Sequence, residues 1–114
     1  MLVFFYVSRL IILFLRKNIV HLGCSNKTKV VDLDIFNKNA FHSLNNQFEI
    51  IFLDPPYKEK KITDLLKTIM ELKLLKKNGI IIIHRHKKEE EIYPKKFKIL
   101  KIKTYGISKI IFGN

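Results

Sequence analysis

Residues 50–57 read Ile50-Ile51-Phe52-Leu53-Asp54-Pro55-Pro56-Tyr57, and this stretch decides the fold. An apolar run that begins at Phe48 closes with Phe52 and Leu53, the pattern of a strand covered on both faces of a sheet. Asp54 falls at the carboxyl end of that strand, where open α/β sheets place their ligands. Pro55 and Pro56 fix φ and carry no N–H, so their carbonyls are left to accept hydrogen bonds from a ligand. Tyr57 adds a flat aromatic face against which a base can lie. A plainer alternative is an aspartate that caps the next helix beside a proline turn. The hydrophobic strand before Asp54 and the aromatic after it favour the binding role.

Outward from this point the chain alternates. Leu2 to Val7 reads as a short buried strand, Ser8 as an N-cap, and Arg9 to Leu22 as a helix ended by Gly23. Arg16, Lys17, Asn18 and His21 mark its narrow solvent face. Lys29 to Leu33 is a second strand ending at Asp34, and Asn37 to Leu44 carries one or two helical turns. After the Asp-Pro-Pro-Tyr turn, residues 61–75 form an amphipathic helix, with Ile62, Leu65, Leu66, Ile69, Met70 and Leu72 at 3–4 spacing. Lys76 and Lys77 suit its end and Gly79 stops it. Ile80 to Ile83 is a fully buried strand, Lys87 to Glu91 a solvated charge run without chemistry. Phe97 to Lys103 and Ile107 to Phe112 make a hairpin around Tyr105-Gly106. The order is β-α-β-(α)-β-α-β-β-β, and the fold class is α/β.

The chain has 114 residues, enough for one small domain over 1–114. Its formal net charge of +12 points to a polyanion such as RNA or DNA. The cations are nearly all lysine, with arginine only at positions 9, 16 and 85. Lysine reads phosphate and not base edges. AT-rich coding DNA would give the same lysine bias with no function attached. A single cysteine, Cys24, excludes a disulfide framework and a cysteine-based zinc site and suits a reducing cytoplasm. Met1 to Leu15 is almost wholly apolar, but Arg9 interrupts it and the uncharged run is far short of the ~20 residues a membrane span needs.

The Asp54-Pro55-Pro56-Tyr57 segment resembles the Asp/Asn-Pro-Pro-Tyr/Phe signature of amino-group methyltransferases. Around it, the blocks 15–23, 29–34, 48–57, 79–83 and 105–109 follow in an order and spacing similar to the RsmD family. That family methylates the N2 amino group of a guanine in 16S ribosomal RNA, and the resemblance covers nearly the whole chain. It implies a Rossmann-like, S-adenosylmethionine-dependent methyltransferase sheet, mostly parallel, with a C-terminal antiparallel hairpin. By the resemblance, Asp54 accepts a hydrogen bond from the guanine amine, the Pro55 carbonyl is a second acceptor, Pro56 stiffens the turn and Tyr57 stacks on the base. Asp34 and Ile35 match the loop against the cofactor's adenine. S-adenosylmethionine is the implied methyl donor, with no metal. The implied partner is ribosomal RNA or the small ribosomal subunit; the cations read from the sequence itself as its contacts are Lys58, Lys60 and Arg85. The implied location is cytoplasmic, without stable membrane association.

The sequence departs from the family pattern at three places. The family opens with a strand and a glycine-rich loop that wraps the cofactor's methionine end, and nothing here matches it. The expectation is therefore a partial sheet whose first strand is missing, with a row of ladder hydrogen bonds lost between residues 2–7 and 48–53. It follows that the isolated chain does not hold the cofactor unless an upstream fragment completes the sheet. Tyr6 stands where the family has an acidic residue for the ribose hydroxyls, and one hydroxyl cannot replace a bidentate carboxylate. His84-Arg85-His86 stands where the family commonly has a Glu, and reads either as a basic patch facing RNA phosphate or as a polar strand end with His84 partly buried. Two alternatives stay open: a basic RNA-binding remnant without catalysis, and a different amino-methyltransferase acting on DNA or RNA.

Overall fold

The computed structural model describes residues 2–5, 9–31, 47–55 and 62–114. Within them six strands form one mixed sheet: β1 (Leu2–Phe5), β2 (Thr28–Val31), β3 (Phe48–Leu53), β4 (Leu75–His86), β5 (Ile99–Tyr105) and β6 (Ser108–Gly113). Helix α1 (Arg9–His21) follows β1 and helix α2 (Ile62–Glu71) precedes β4. The spatial order is β2-β1-β3-β4-β6-β5. The first four strands run parallel and the C-terminal hairpin antiparallel. β1 pairs directly with β3, Val3 beside Ile51 and Phe5 beside Leu53. The expected gap between them is therefore absent, because the two strands close on one another and satisfy the ladder.

One face of the sheet carries the core. Val3, Ile51, Leu53, Ile81, Ile83 and Ile111 lie on it, and the Ile62, Leu65, Leu66 and Ile69 stripe of α2 packs against them. The opposite face is half open: Ile50 and its register partner Ile80 are 39% and 36% exposed. The expectation of strands buried on both sides is thus corrected. The uninterrupted isoleucine run alternates between a dry face and a partly wet one.

Helix α1 ends as Gly23 predicts. Gly23 takes φ 67°, its N–H donates to the Val20 carbonyl and the Cys24 N–H to that of Ile19. Arg16, Lys17, Asn18 and His21 are exposed, but so are Phe14 and Val20, so the solvent face is wider than expected. Among the described residues no helix is long and apolar enough to cross a membrane.

Helix α2 stops at Glu71, four residues before the expected end. Lys73 adopts φ 52° and Leu74 turns inward, its N–H donating to Ile69 and its carbonyl accepting from Phe48. Residues 75–86 then run as β4, with a register break opposite Glu49 that contains Asn78 at φ 65°. Gly79 is accordingly no helix stop. It lies buried within the strand, where an added Cβ would stand 2.6 Å from Leu75 Cδ1. The Lys76-Lys77-Asn78-Gly79 run has the composition of a helix end, yet the Asn-Gly pair makes an irregular strand turn.

β5 and β6 meet through a two-residue turn, Gly106-Ile107, with Gly106 at φ 56°. Gly113 is buried because the Phe97 ring occupies the space beside its Cα.

Candidate active site at the end of the third strand

β3 ends at Leu53, which pairs with Ile83 of β4, so Asp54 leaves the sheet beside His84. Side chains alternate along β4, and this places His84 and His86 on the half-open face with Phe52 and Ile82. Across β6, His86 pairs with Ser108, which brings the Ser108 hydroxyl to the same face. The result is a continuous line of side chains. His84 Nδ1 lies 2.9 Å from Asp54 Oδ1, and His84 Nε2 lies 2.9 Å from Ser108 Oγ. The side chains of His84 and Asp54 are about a quarter exposed, 25% and 24%, so solvent-borne groups can reach them. Pro55, next in the chain, is buried. Among the described residues no cluster of histidine, cysteine and carboxylate groups could hold a metal ion.

Arg85, one residue on, faces the other way. It is fully buried on the core side, its Nε donating to Glu91 Oε1 and its Nη2 3.9 Å from Glu89 Oε2. Its expected role as an RNA contact is therefore corrected: the period of two turns its guanidinium away from the site, and buried carboxylate neutralises it. The charge run 87–91 is likewise more than a solvated loop. Glu91 is nearly buried, accepts from the Tyr93 hydroxyl at 3.2 Å and holds Arg85. Tyr93 packs on Phe97 with ring centroids 5.5 Å apart. Burial first, and then the Glu91 charge, hold its hydroxyl above the usual tyrosine range. The Thr63 hydroxyl bonds the Ile92 carbonyl, which fastens this segment over α2.

Of the residues singled out from sequence, Asp54, Pro55 and Arg85 lie within the described residues. Pro56, Tyr57, Lys58, Lys60, Tyr6, Asp34 and Ile35 lie outside them, as do Ser8 and the 37–44 helix. The structure brings Asp54 and Pro55 to one place and sets Arg85 apart. Sequence reasoning missed Ser108. The hairpin register, counted from the Tyr105-Gly106 turn, was the signal that could have placed it opposite β4.

This geometry, a mostly parallel sheet with an aspartate-proline pair just past the carboxyl end of a central strand, has the S-adenosylmethionine-dependent methyltransferase fold. The rRNA methyltransferase aviRa of Streptomyces viridochromogenes shares it with a TM-score of 0.56, at 15% identity, over 75% of this chain and 38% of that one. A conserved hypothetical protein of Streptococcus pyogenes gives a TM-score of 0.74 at 25% identity, over 98% of this chain and 70% of that one. A family model described as Conserved hypothetical protein 95 matches residues 2–114. Ribosomal RNA small subunit methyltransferase D of Buchnera aphidicola is 33% identical over 93 residues, 78% of this chain and 46% of that protein. The chain belongs to this family, the RsmD-type ribosomal RNA methyltransferases. It spans about half the length of the curated relatives it matches.

Proposed function

We propose that this chain serves the methylation of an exocyclic base amine in ribosomal RNA, the N2 of a guanine, and supplies the groups that hold the amine. The observation that carries this reading is the Asp54-Pro55 pair at the carboxyl end of β3, with the carboxylate held 2.9 Å from His84 Nδ1. Asp54 accepts one N–H of the amine and the Pro55 carbonyl the other, which turns the nitrogen lone pair towards the methyl donor. Rate would come from this alignment and from preorganised acceptors. Tyr57 would stack on a base that has left its helix.

S-adenosylmethionine is the donor that the family implies. The described residues fit the amine side of such a site better than the donor side. All four glycines are accounted for, Gly23 at the end of α1, Gly79 inside β4, Gly106 in the hairpin and Gly113 in β6. None follows β1 or β3 at the carboxyl edge, where a backbone cradle would be needed. No step is therefore assigned to the donor.

The test is transfer of labelled methyl from S-adenosylmethionine to 16S rRNA or the small ribosomal subunit, together with calorimetry using S-adenosylhomocysteine. Whatever transfer the chain supports, alone or with a fragment that completes the donor side, should be lost in Asp54→Ala, while RNA affinity stays within about twofold. A second reading rests on the net charge of +12. Salt-dependent RNA binding without cofactor binding or methyl transfer would establish the chain as an RNA-binding protein and remove the catalytic proposal.

A further inference from the structure

We propose that His84 is a positioning residue for Asp54, its ring anchored on the far side by Ser108, and that this line of three side chains aims the carboxylate at the substrate amine. The inference rests on the amine-methylation reading above. Its residues come from three elements, the end of β3, β4 and the start of β6, which the sheet register alone brings together. Both ring nitrogens are engaged at 2.9 Å.

The polarity of the line follows from donor and acceptor chemistry. An ionised Asp54 can only accept, so the proton must sit on His84 Nδ1. In the neutral ring Nε2 is then an acceptor, and the Ser108 hydroxyl is the group beside it that can donate. Asp54 therefore sets the tautomer, and Ser108, whose hydroxyl can donate or accept, anchors the far side of the ring. The contact uses one carboxylate oxygen, Oδ1, and in this reading Oδ2 is the amine acceptor. A lone aspartate just past a strand end would turn about two side-chain torsions. A hydrogen bond from a ring that is itself anchored removes that freedom. A carboxylate in place of His84 could not donate to Asp54 unless protonated, so the device belongs to the histidine in this sequence.

The experiment has two independent readouts on the full chain. The first is the nitrogen spectrum of the imidazoles by NMR. In its neutral form His84 should show the Nδ1–H tautomer, shifting towards Nε2–H in Asp54→Ala. An Nε2–H tautomer in the wild type, or a spectrum unmoved by Asp54→Ala, would overturn the assignment. The second is methyl transfer. The amide nitrogen of His84→Asn stands near Nδ1 and keeps a donor for Asp54, whereas that of His84→Gln stands near Nε2 and does not. His84→Gln should lose about 10- to 100-fold in kcat at nearly unchanged KM for RNA, with His84→Asn keeping most of the rate. Equal losses in both variants would refute positioning through Nδ1. If the wild type transfers no methyl group, the function reading fails, and the spectrum alone upholds or overturns the His84 geometry.

Discussion

Replacing Glu91 by glutamine should destabilise the protein by about 3 kcal/mol. The glutamine keeps the shape and one acceptor for Arg85 Nε, but it removes the charge that compensates a fully buried guanidinium. The Arg85 side chain is 1% exposed and that of Glu91 6%, so water cannot replace the lost partner. Stripping one member from such a pair typically costs ~3–5 kcal/mol. The lower end applies because Glu89, at 3.9 Å and more exposed, still offsets part of the charge. Against a total stability of roughly 5–15 kcal/mol for a small domain, the loss is large. Urea denaturation reads it directly: with a slope of about 1–3 kcal/mol per molar, the midpoint should fall by about 1–3 M. The paired replacement Arg85→Met with Glu91→Leu should recover most of this, since two apolar side chains remove the need for compensation. A Glu91→Gln midpoint shift worth less than about 1 kcal/mol would sink the argument. So would a double variant less stable than the single one.

Gly113→Ala should cost about 1–3 kcal/mol, because its Cβ would fall 2.3 Å from Phe97 Cζ and 2.7 Å from the Lys98 carbonyl. Adding Phe97→Leu should restore only part, as the backbone contact remains, and thermal melts of both variants decide it. Lys73→Gly should stabilise by ~0.5–1 kcal/mol, since a left-handed φ of 52° favours glycine at a helix end. An unchanged or lower melting temperature would count against that strain. Tyr93 carries a raised pKa, so its neutral form is the one the fold retains. Its contribution is fully present below about pH 10 and is lost as pH rises beyond that, towards the folded-state value. Alkaline unfolding followed by circular dichroism should therefore move to higher pH in Tyr93→Phe.

How much of this was legible in the sequence follows from range. The apolar run that ends at Asp54, the 3–4 stripe of Ile62, Leu65, Leu66 and Ile69, and the Gly23 cap are local signals, and local structure obeys them. The hairpin was equally legible because Tyr105-Gly106 is a local turn. Gly79 misled because Lys-Lys-Asn-Gly has one composition and two uses. What decided between them was Phe48, whose N–H takes the Leu74 carbonyl from 26 positions away in sequence. Arg85 misled for a related reason. His-Arg-His looks like one basic patch, but strand alternation splits it, and the carboxylate that claims Arg85 arrives by a loop. Asp54 could be read as a binding residue. Its tie to His84 and Ser108 could not, because it needs the register of three strands at once.

The irregular opening of β4 has a consequence for how this chain can change length. Between Leu75 and Ile80 the strand spends five positions where its neighbour, from Phe48 to Ile50, spends two. Surplus residues are thus stored before the regular ladder starts. An insertion or deletion among positions 76–79 can be absorbed there, and every side chain beyond Ile80 keeps its face. The same change after Ile83 would exchange the two faces, carrying the guanidinium into the site and the imidazole into the core. The chain has placed its slack upstream of the residues whose parity matters.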